Sequence, residues 1–262
     1  MWNLFGKKKK DEHHRTLQLI TDKGMSFNYV EAYKSLRTNL DFMAGSMDAR
    51  ALVITSTLPE ESKSNVAANL AFTLAESGKK VVLVDCDLRK PVLHRYLKAG
   101  HNVKGVSNIL SNQCKLAEAL QELQEEKIDF LPAGTPPPNP SEMLGQPQMK
   151  QLVDTLRETY DFVIFDAPPV SMVTDAAVLG RYADGVVFVV RSDYAATEAA
   201  RNAVKKLQDA GTKVLGTVLT RYDAKTSLKR SSYAYGYGYK YGYKYGYAYG
   251  YGNNTENQKE KH

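Results

Sequence analysis

Two segments of this chain, Val81-Val-Leu-Val-Asp85 and Phe162-Val-Ile-Phe-Asp166, are short apolar runs that stop on an aspartate. Neither alternates apolar with polar residues. Each therefore predicts a strand buried on both faces, as in a parallel sheet covered on its two sides. Ala51 to Thr55, Ile128 to Leu131, Gly185 to Val190 and Val214 to Leu219 read the same way. Between them lie stretches of helical spacing. Residues 29–43 set Val30, Tyr33, Leu36 or Arg37, and Leu40 a turn apart, and Val66 to Ala75 is a helix that Gly78 ends. Residues 142–159 and 195–210 supply two more, the last followed by Gly211. Strands alternating with helices predict a doubly wound, mostly parallel α/β domain.

The chain has 262 residues, enough for one such domain with appendages. Its +6 charge is uneven. From residue 225 onward seven Lys or Arg face two acids, while the preceding body carries 28 basic and 27 acidic residues. The excess therefore concerns the tail and not the fold. Residues 1–25 form a basic N-terminal segment, in which no apolar core follows Lys7 to Lys10, so it does not read as a signal peptide. No apolar run approaches the ~20 residues of a membrane span. Cys86 and Cys114 offer neither a disulfide framework nor a metal set and fit a reducing cytoplasm.

The domain is expected over residues 26–224. Beyond it, residues 225–262 hold Tyr233, Tyr235, Tyr237, Tyr239, Tyr241, Tyr243, Tyr245, Tyr247, Tyr249 and Tyr251, spaced by Gly, Ala and Lys. No Leu, Ile, Val or Phe follows Leu228, so this tail closes no core and is expected to be disordered. Its phenols are phosphoryl acceptors, each able to gain about −1.5 to −2 charges.

The first strand runs into TSTLPEESKSNVAANLA, residues 55–71, with Lys63 and Ser64 opening a helix. A P-loop holds phosphates with backbone N–H groups and the helix N-terminus, its Lys bridges phosphate oxygens, and the next hydroxyl ligates Mg²⁺. The candidate cradle is Pro59, Glu60, Glu61, Ser62, Lys63, Ser64 and Asn65. Against the GxxxxGK[ST] pattern, Thr57 and Ser62 replace the glycines, and Glu60 or Glu61 would repel a polyphosphate if turned inward. Alone, the segment is a poor match and reads better as a plain strand–turn–helix. The carboxylates change that reading. Asp85 and Asp166 end two strands, and Asp87 follows two residues after Asp85. One acid at a strand tip can simply cap a helix. Three of them, beside a Lys-Ser helix start at the carboxyl edge of one sheet, converge on a crevice suited to a magnesium nucleotide.

With these residues in place, the chain resembles the bacterial tyrosine kinases of capsule and exopolysaccharide systems, a branch of the deviant-Walker P-loop NTPases. The resemblance covers roughly residues 26–251. It rests on EAYKSLRTNL at 31–40, the Lys63-Ser64 loop, VVLVDCDLRKP at 81–91 and LPAGTPPPNPSEML at 131–144. VIFDAPP at 163–169, VVRSDYAATEAA at 189–200 and the terminal tyrosines complete it. It implies an ATP- and Mg²⁺-dependent tyrosine kinase that phosphorylates its own tail in trans and regulates polysaccharide synthesis and export. Carried over by position, Lys63 holds the terminal phosphates, Ser64 ligates Mg²⁺ and Asp166 positions the metal through water. Asp85 accepts the tyrosine proton, and Asp87 assists the metal or the acceptor. Arg89 offsets negative charge near the acceptor or forms a structural ion pair.

Glu31, Lys34 and Arg37 stand where the family joins subunits into a ring, an octamer. Lys34 occupies an Arg position without the planar fork of Arg. Without the resemblance the three are an ordinary solvated charge pattern on a helix. Also implied are a transmembrane adaptor whose cytoplasmic end docks on the domain, a cognate phosphotyrosine phosphatase, and a location at the inner face of the membrane. The family keeps glycine where Glu60 and Ser62 stand. Either nucleotide affinity falls, or the side chains are tolerated at negative φ.

Two other functions remain open. One is a nucleotide-binding scaffold that no longer phosphorylates. The other is a partitioning-type ATPase whose aromatic tail stacks on nucleic acid. Only Lys240 and Lys244 lie among the tail tyrosines, too thin a cationic density to expect nucleic acid. His94 reads as a solvated or packed helix residue, and Cys86 as a small core side chain.

Overall fold

The computed structural model describes residues 17–99, 104–123 and 127–222. The tail tyrosines, the basic run at Lys7 to Lys10 and the expected limit at 224 lie outside the described residues. The elements run α1 (Phe27–Met47), β1 (Ala51–Ser56), α2 (Lys63–Glu76), β2 (Val81–Asp85), α3 (Leu93–Tyr96), α4 (Val106–Leu110) and α5 (Leu116–Ala119). Then follow β3 (Gln121–Leu123), β4 (Ile128–Leu131), α6 (Pro140–Leu144), α7 (Pro147–Thr159), β5 (Phe162–Asp166), α8 (Asp175–Gly180), β6 (Gly185–Arg191), α9 (Thr197–Asp209) and β7 (Val214–Thr220).

The strands form one seven-stranded sheet in the order β3-β4-β2-β5-β1-β6-β7. Every pairing is parallel except that of β3 with β4. The pleat sends alternate residues to opposite faces. Leu52, Ile54, Leu83 and Ile164 pack with Tyr33 and Leu40 of α1 and with Val66, Leu70 and Phe72 of α2. Val53, Val82, Val84 and Phe165 pack on the other side with Met149, Val153 and Leu156 of α7, Leu179 of α8 and Leu207 of α9. Uniformly apolar strands are what this two-sided burial requires, so the doubly wound reading holds.

Two expectations change in detail. The helix read over 142–159 is broken into α6 and α7. Gly145 closes the first, and Pro147, which has no N–H to give, opens the second. The edge strand β3 carries no apolar run and left no mark in the sequence; its residues are half-buried or exposed.

What positions the site is register. Asp85 lies opposite Asp166 across β2 and β5, and Ile54 of β1 lies opposite Asp166 on its other side. Strands β2 and β5 therefore end level while β1 runs on through Thr55 and Ser56, so the loop from β1 into α2 begins just beyond the two aspartates.

Candidate active site

Lys63 opens α2 and reaches back over these strand ends. Its Nζ lies 3.2 Å from Asp166 Oδ1, 3.3 Å from Asp87 Oδ2 and 3.3 Å from Ser64 Oγ. Burial opposes its charge, yet attraction by Asp166, Asp87 and Asp85 together holds its pKa above the ordinary lysine value. Asp85 is fully enclosed. Its oxygens accept the N–H groups of Asp87 at 3.1 Å and Leu93 at 3.3 Å. Burial first, and the neighbouring Asp166 charge second, push the Asp85 carboxyl well above the usual carboxylate range. Burial likewise raises Asp166, against the pull of Lys63. Asp87 is the member of the trio with an edge toward solvent. The sequence-predicted Lys63, Ser64, Asp85, Asp87 and Asp166 are thus one cluster.

The loop between β1 and α2 adopts a glycine shape without glycines. Glu60 has φ 70° and Ser62 φ 71°, both left-handed. Of the two alternatives, tolerance at negative φ is therefore ruled out, because the chain must turn sharply to aim the start of α2 at the strand ends. Glu61 is buried but faces the protein. Its carboxylate accepts the N–H of Leu58 at 2.6 Å and of Arg191 at 3.3 Å. That carboxylate therefore braces the loop from behind, while Glu60 is exposed. Pro59 is exposed too. The Asn65 side chain turns to α1, donating to the hydroxyls of Tyr29 at 2.7 Å and Tyr33 at 3.3 Å. What Asn65 offers a nucleotide is its backbone.

Arg89 pairs with Asp175 at the start of α8, Nε to Oδ2 at 3.0 Å. Neither Asp175 nor its partner Ser141 was singled out from the sequence; the PPNPSE and DAA segments carry them without any spacing that names them. On α1, Lys34 pairs with Glu31 at 2.8 Å, and Arg37 Nη1 donates to the Thr73 carbonyl at 2.9 Å. Cys86 is buried in the core below the carboxylates, as expected.

A protein-family model described as an AAA domain matches residues 61–217. Tyrosine-protein kinase YwqD of Bacillus subtilis (strain 168) is 40% identical over 205 residues, covering 78% of this chain and 85% of that protein. The chain belongs to the bacterial tyrosine kinase family. Among solved structures, the kinase domain of Escherichia coli tyrosine kinase ETK superposes with a TM-score of 0.70 at 33% identity, covering 80% of each chain. The septum site-determining protein MinD from Pyrococcus horikoshii, complexed with Mg-ADP, gives a TM-score of 0.58 at 24% identity and covers 69% of this chain and 76% of that one. That last likeness concerns the fold alone. Within the bacterial tyrosine kinases, the lysine–carboxylate cluster is therefore the kinase site candidate.

Proposed function

We propose that this bacterial tyrosine kinase transfers the terminal phosphoryl group of Mg-ATP to tyrosines of the C-terminal cluster, Tyr233 to Tyr251, of a neighbouring copy. Through that reaction it regulates capsular or exopolysaccharide synthesis and export. The observation that carries the reading is Lys63 Nζ held between Asp87 and Asp166 at level strand ends.

The residues suit a magnesium nucleotide. Asp166 Oδ2 is buried with no hydrogen-bond partner among the described residues, and Ser64 supplies a hydroxyl beside it. Among the described residues no group of three or more His, Cys, Asp or Glu forms a metal cage. Mg²⁺ needs none, since it is bound by one or two protein oxygens together with phosphates and water. Ser64, Asp166 and Asp87 would hold the metal, and the backbone from Pro59 to Asn65 with Lys63 the phosphates. Bound Mg-ATP supplies the transferable group and a metal charge that offsets its oxygens.

The chain's own residues supply alignment and proton transfer. Lys63 is kept cationic by three carboxylates. The Asp85–Asp87 pair accepts the phenol proton: burial gives Asp85 high proton affinity, and Asp87 meets the crevice. Glu31, Lys34 and Arg37 on α1 form the contact between copies in a ring, an octamer. Among the described residues no helix is long and apolar enough to cross a membrane. The reading places the chain at the inner face of the cell membrane through the cytoplasmic end of a separate transmembrane adaptor, with a phosphotyrosine phosphatase reversing its product.

Intact mass after incubation with Mg-ATP tests the reading. The tail gains phosphates, Lys63→Met gains none alone, and Lys63→Met mixed with wild type is phosphorylated in trans. Nucleotide binding with no phosphotyrosine, adaptor peptide included, would favour the scaffold instead.

A further inference from the structure

Arg89 and Lys90 follow the carboxylates directly. The described residues from Leu88 to Ala99 carry basic side chains at Arg89, Lys90, Arg95 and Lys98 and no acid. Two anchors fix the start of this stretch. Asp87 Oδ1 accepts the Lys90 N–H at 3.0 Å, which curls the backbone into a turn. Asp175, wholly buried, takes Arg89 in a forked pair, Nε to Oδ2 at 3.0 Å and Nη2 to Oδ1 at 3.1 Å. Ser141 accepts the second Nη2 hydrogen at 2.9 Å and donates to Asp175 in turn. The guanidinium is thus held from α6, α8 and the turn after β2.

These bonds use Nε and Nη2. None of them involves Nη1, and 37% of the Arg89 side chain is open to solvent. Asp175 is neutralised by the Nε–Nη2 edge of the guanidinium, and the hydrogens of Nη1 are left for a second anion.

The proposed acceptor presents a tyrosine at every second position. In an extended segment, residues two apart share a face about 7 Å from each other. The Asp87 carboxylate is near enough to act on the Arg89 guanidinium, so a phenol two residues from one held at the Asp85–Asp87 pair can meet this turn if the segment runs toward it. Once phosphorylated, that neighbour is an anion whose oxygens can accept the Nη1 hydrogens of Arg89, with Lys90 as the next residue in the turn.

We propose that Arg89 and Lys90, aimed by Asp175 and Ser141, form a phosphotyrosine-reading subsite beside the acceptor site. The enzyme then favours a tail segment already phosphorylated two residues from the tyrosine it modifies. The inference rests on the kinase reading above. Modification of the cluster spreads from its first site instead of striking tyrosines at random. The subsite binds and takes no part in bond making, and Asp175 and Ser141 are positioning residues.

Two labelled peptides spanning Tyr233 to Tyr241 test this, one unmodified and one phosphorylated at Tyr237. Anisotropy titrations with the full chain, without nucleotide, give affinities, and rates with Mg-ATP give KM and kcat. The phosphopeptide is expected to bind about tenfold tighter. It should also show a lower KM at similar kcat. In Arg89→Gln the ratio between peptides falls to near one, Arg89→Lys keeps part of it, and Asp175→Asn and Ser141→Ala reduce it. Should Asp175→Asn fail to fold, Arg89→Gln and Ser141→Ala carry the test. Equal binding of the two peptides, or a preference that survives Arg89→Gln, overturns the subsite. So does an Arg89→Gln loss shared equally by both peptides, the mark of a purely structural ion pair. Tighter phosphopeptide binding without transfer to either peptide supports the subsite while sinking the kinase reading.

Discussion

Glu60 and Ser62 hold φ near +70° where L residues are disfavoured by roughly 1–2 kcal/mol each. The sequence showed which glycines were replaced but not how the loop would respond. Backbone direction won, because the start of α2 has one productive aim, and the side chains accept the strain. Glu60→Gly with Ser62→Gly should therefore stabilise the fold by about 0.5–1 kcal/mol per site, after the entropy that glycine adds to the unfolded chain. Urea denaturation measures it, and an unchanged or lower midpoint would place the strain elsewhere. Asp85 allows a sharper test. Its folded pKa stands above the ordinary 3.8 through burial, so folding takes up a proton. Its contribution is fullest below the unfolded pKa and declines as pH rises toward the folded value. Asp85→Asn does not titrate, so its stability relative to wild type should improve as pH rises from the ordinary carboxylate range toward neutrality. Thermal melts at both ends check the sign, and phosphoryl transfer should be lost throughout.

Among the polar bonds that tie helix α2 to its surroundings, those of Asn69 lie deepest. Its Oδ1 accepts the Ile20 N–H at 2.7 Å, and its Nδ2 donates to the Gln18 carbonyl at 2.8 Å and to the Tyr29 hydroxyl at 3.2 Å. Asn69→Ala leaves that buried N–H without its partner and should cost about 1–3 kcal/mol. Denaturation should show the loss, and hydrogen exchange should rise at Ile20 with core strands still protected. These bonds were invisible in the sequence, since a buried asparagine in VAANLA has no periodicity to mark it. The strands were legible because two-sided burial writes itself as unbroken apolar runs, and their aspartates were legible because a polar residue ends each run. Helices α3, α4, α5 and α8 span four to six residues and offer too few turns for a pattern. The break between α6 and α7 was written in Gly145 and Pro147 but was outweighed by the spacing on either side. Asp175 and Ser141 lie 34 residues apart and meet only through the fold.

At the scale of the whole chain, charge is the quantity that phosphorylation changes most. The formal charge is +6, and ten phosphotyrosines would carry it to between about −9 and −14. The proposed contact between copies rests on groups that are loosely committed. Glu31 and Lys34 satisfy each other on one helix face with about 40% of each side chain exposed, an arrangement worth a few tenths of a kcal/mol and easily exchanged for a partner across an interface. Arg37 is the firmer member, tied to α2 through the Thr73 carbonyl. An assembly held by such pairs is sensitive to like charge gathered on every member. Full phosphorylation should therefore shift the chain toward smaller species by size-exclusion chromatography with light scattering, and phosphatase treatment should restore the larger form. Elution that is identical before and after phosphorylation would separate tail modification from assembly and leave the charge reversal to act on the adaptor or the acceptor site.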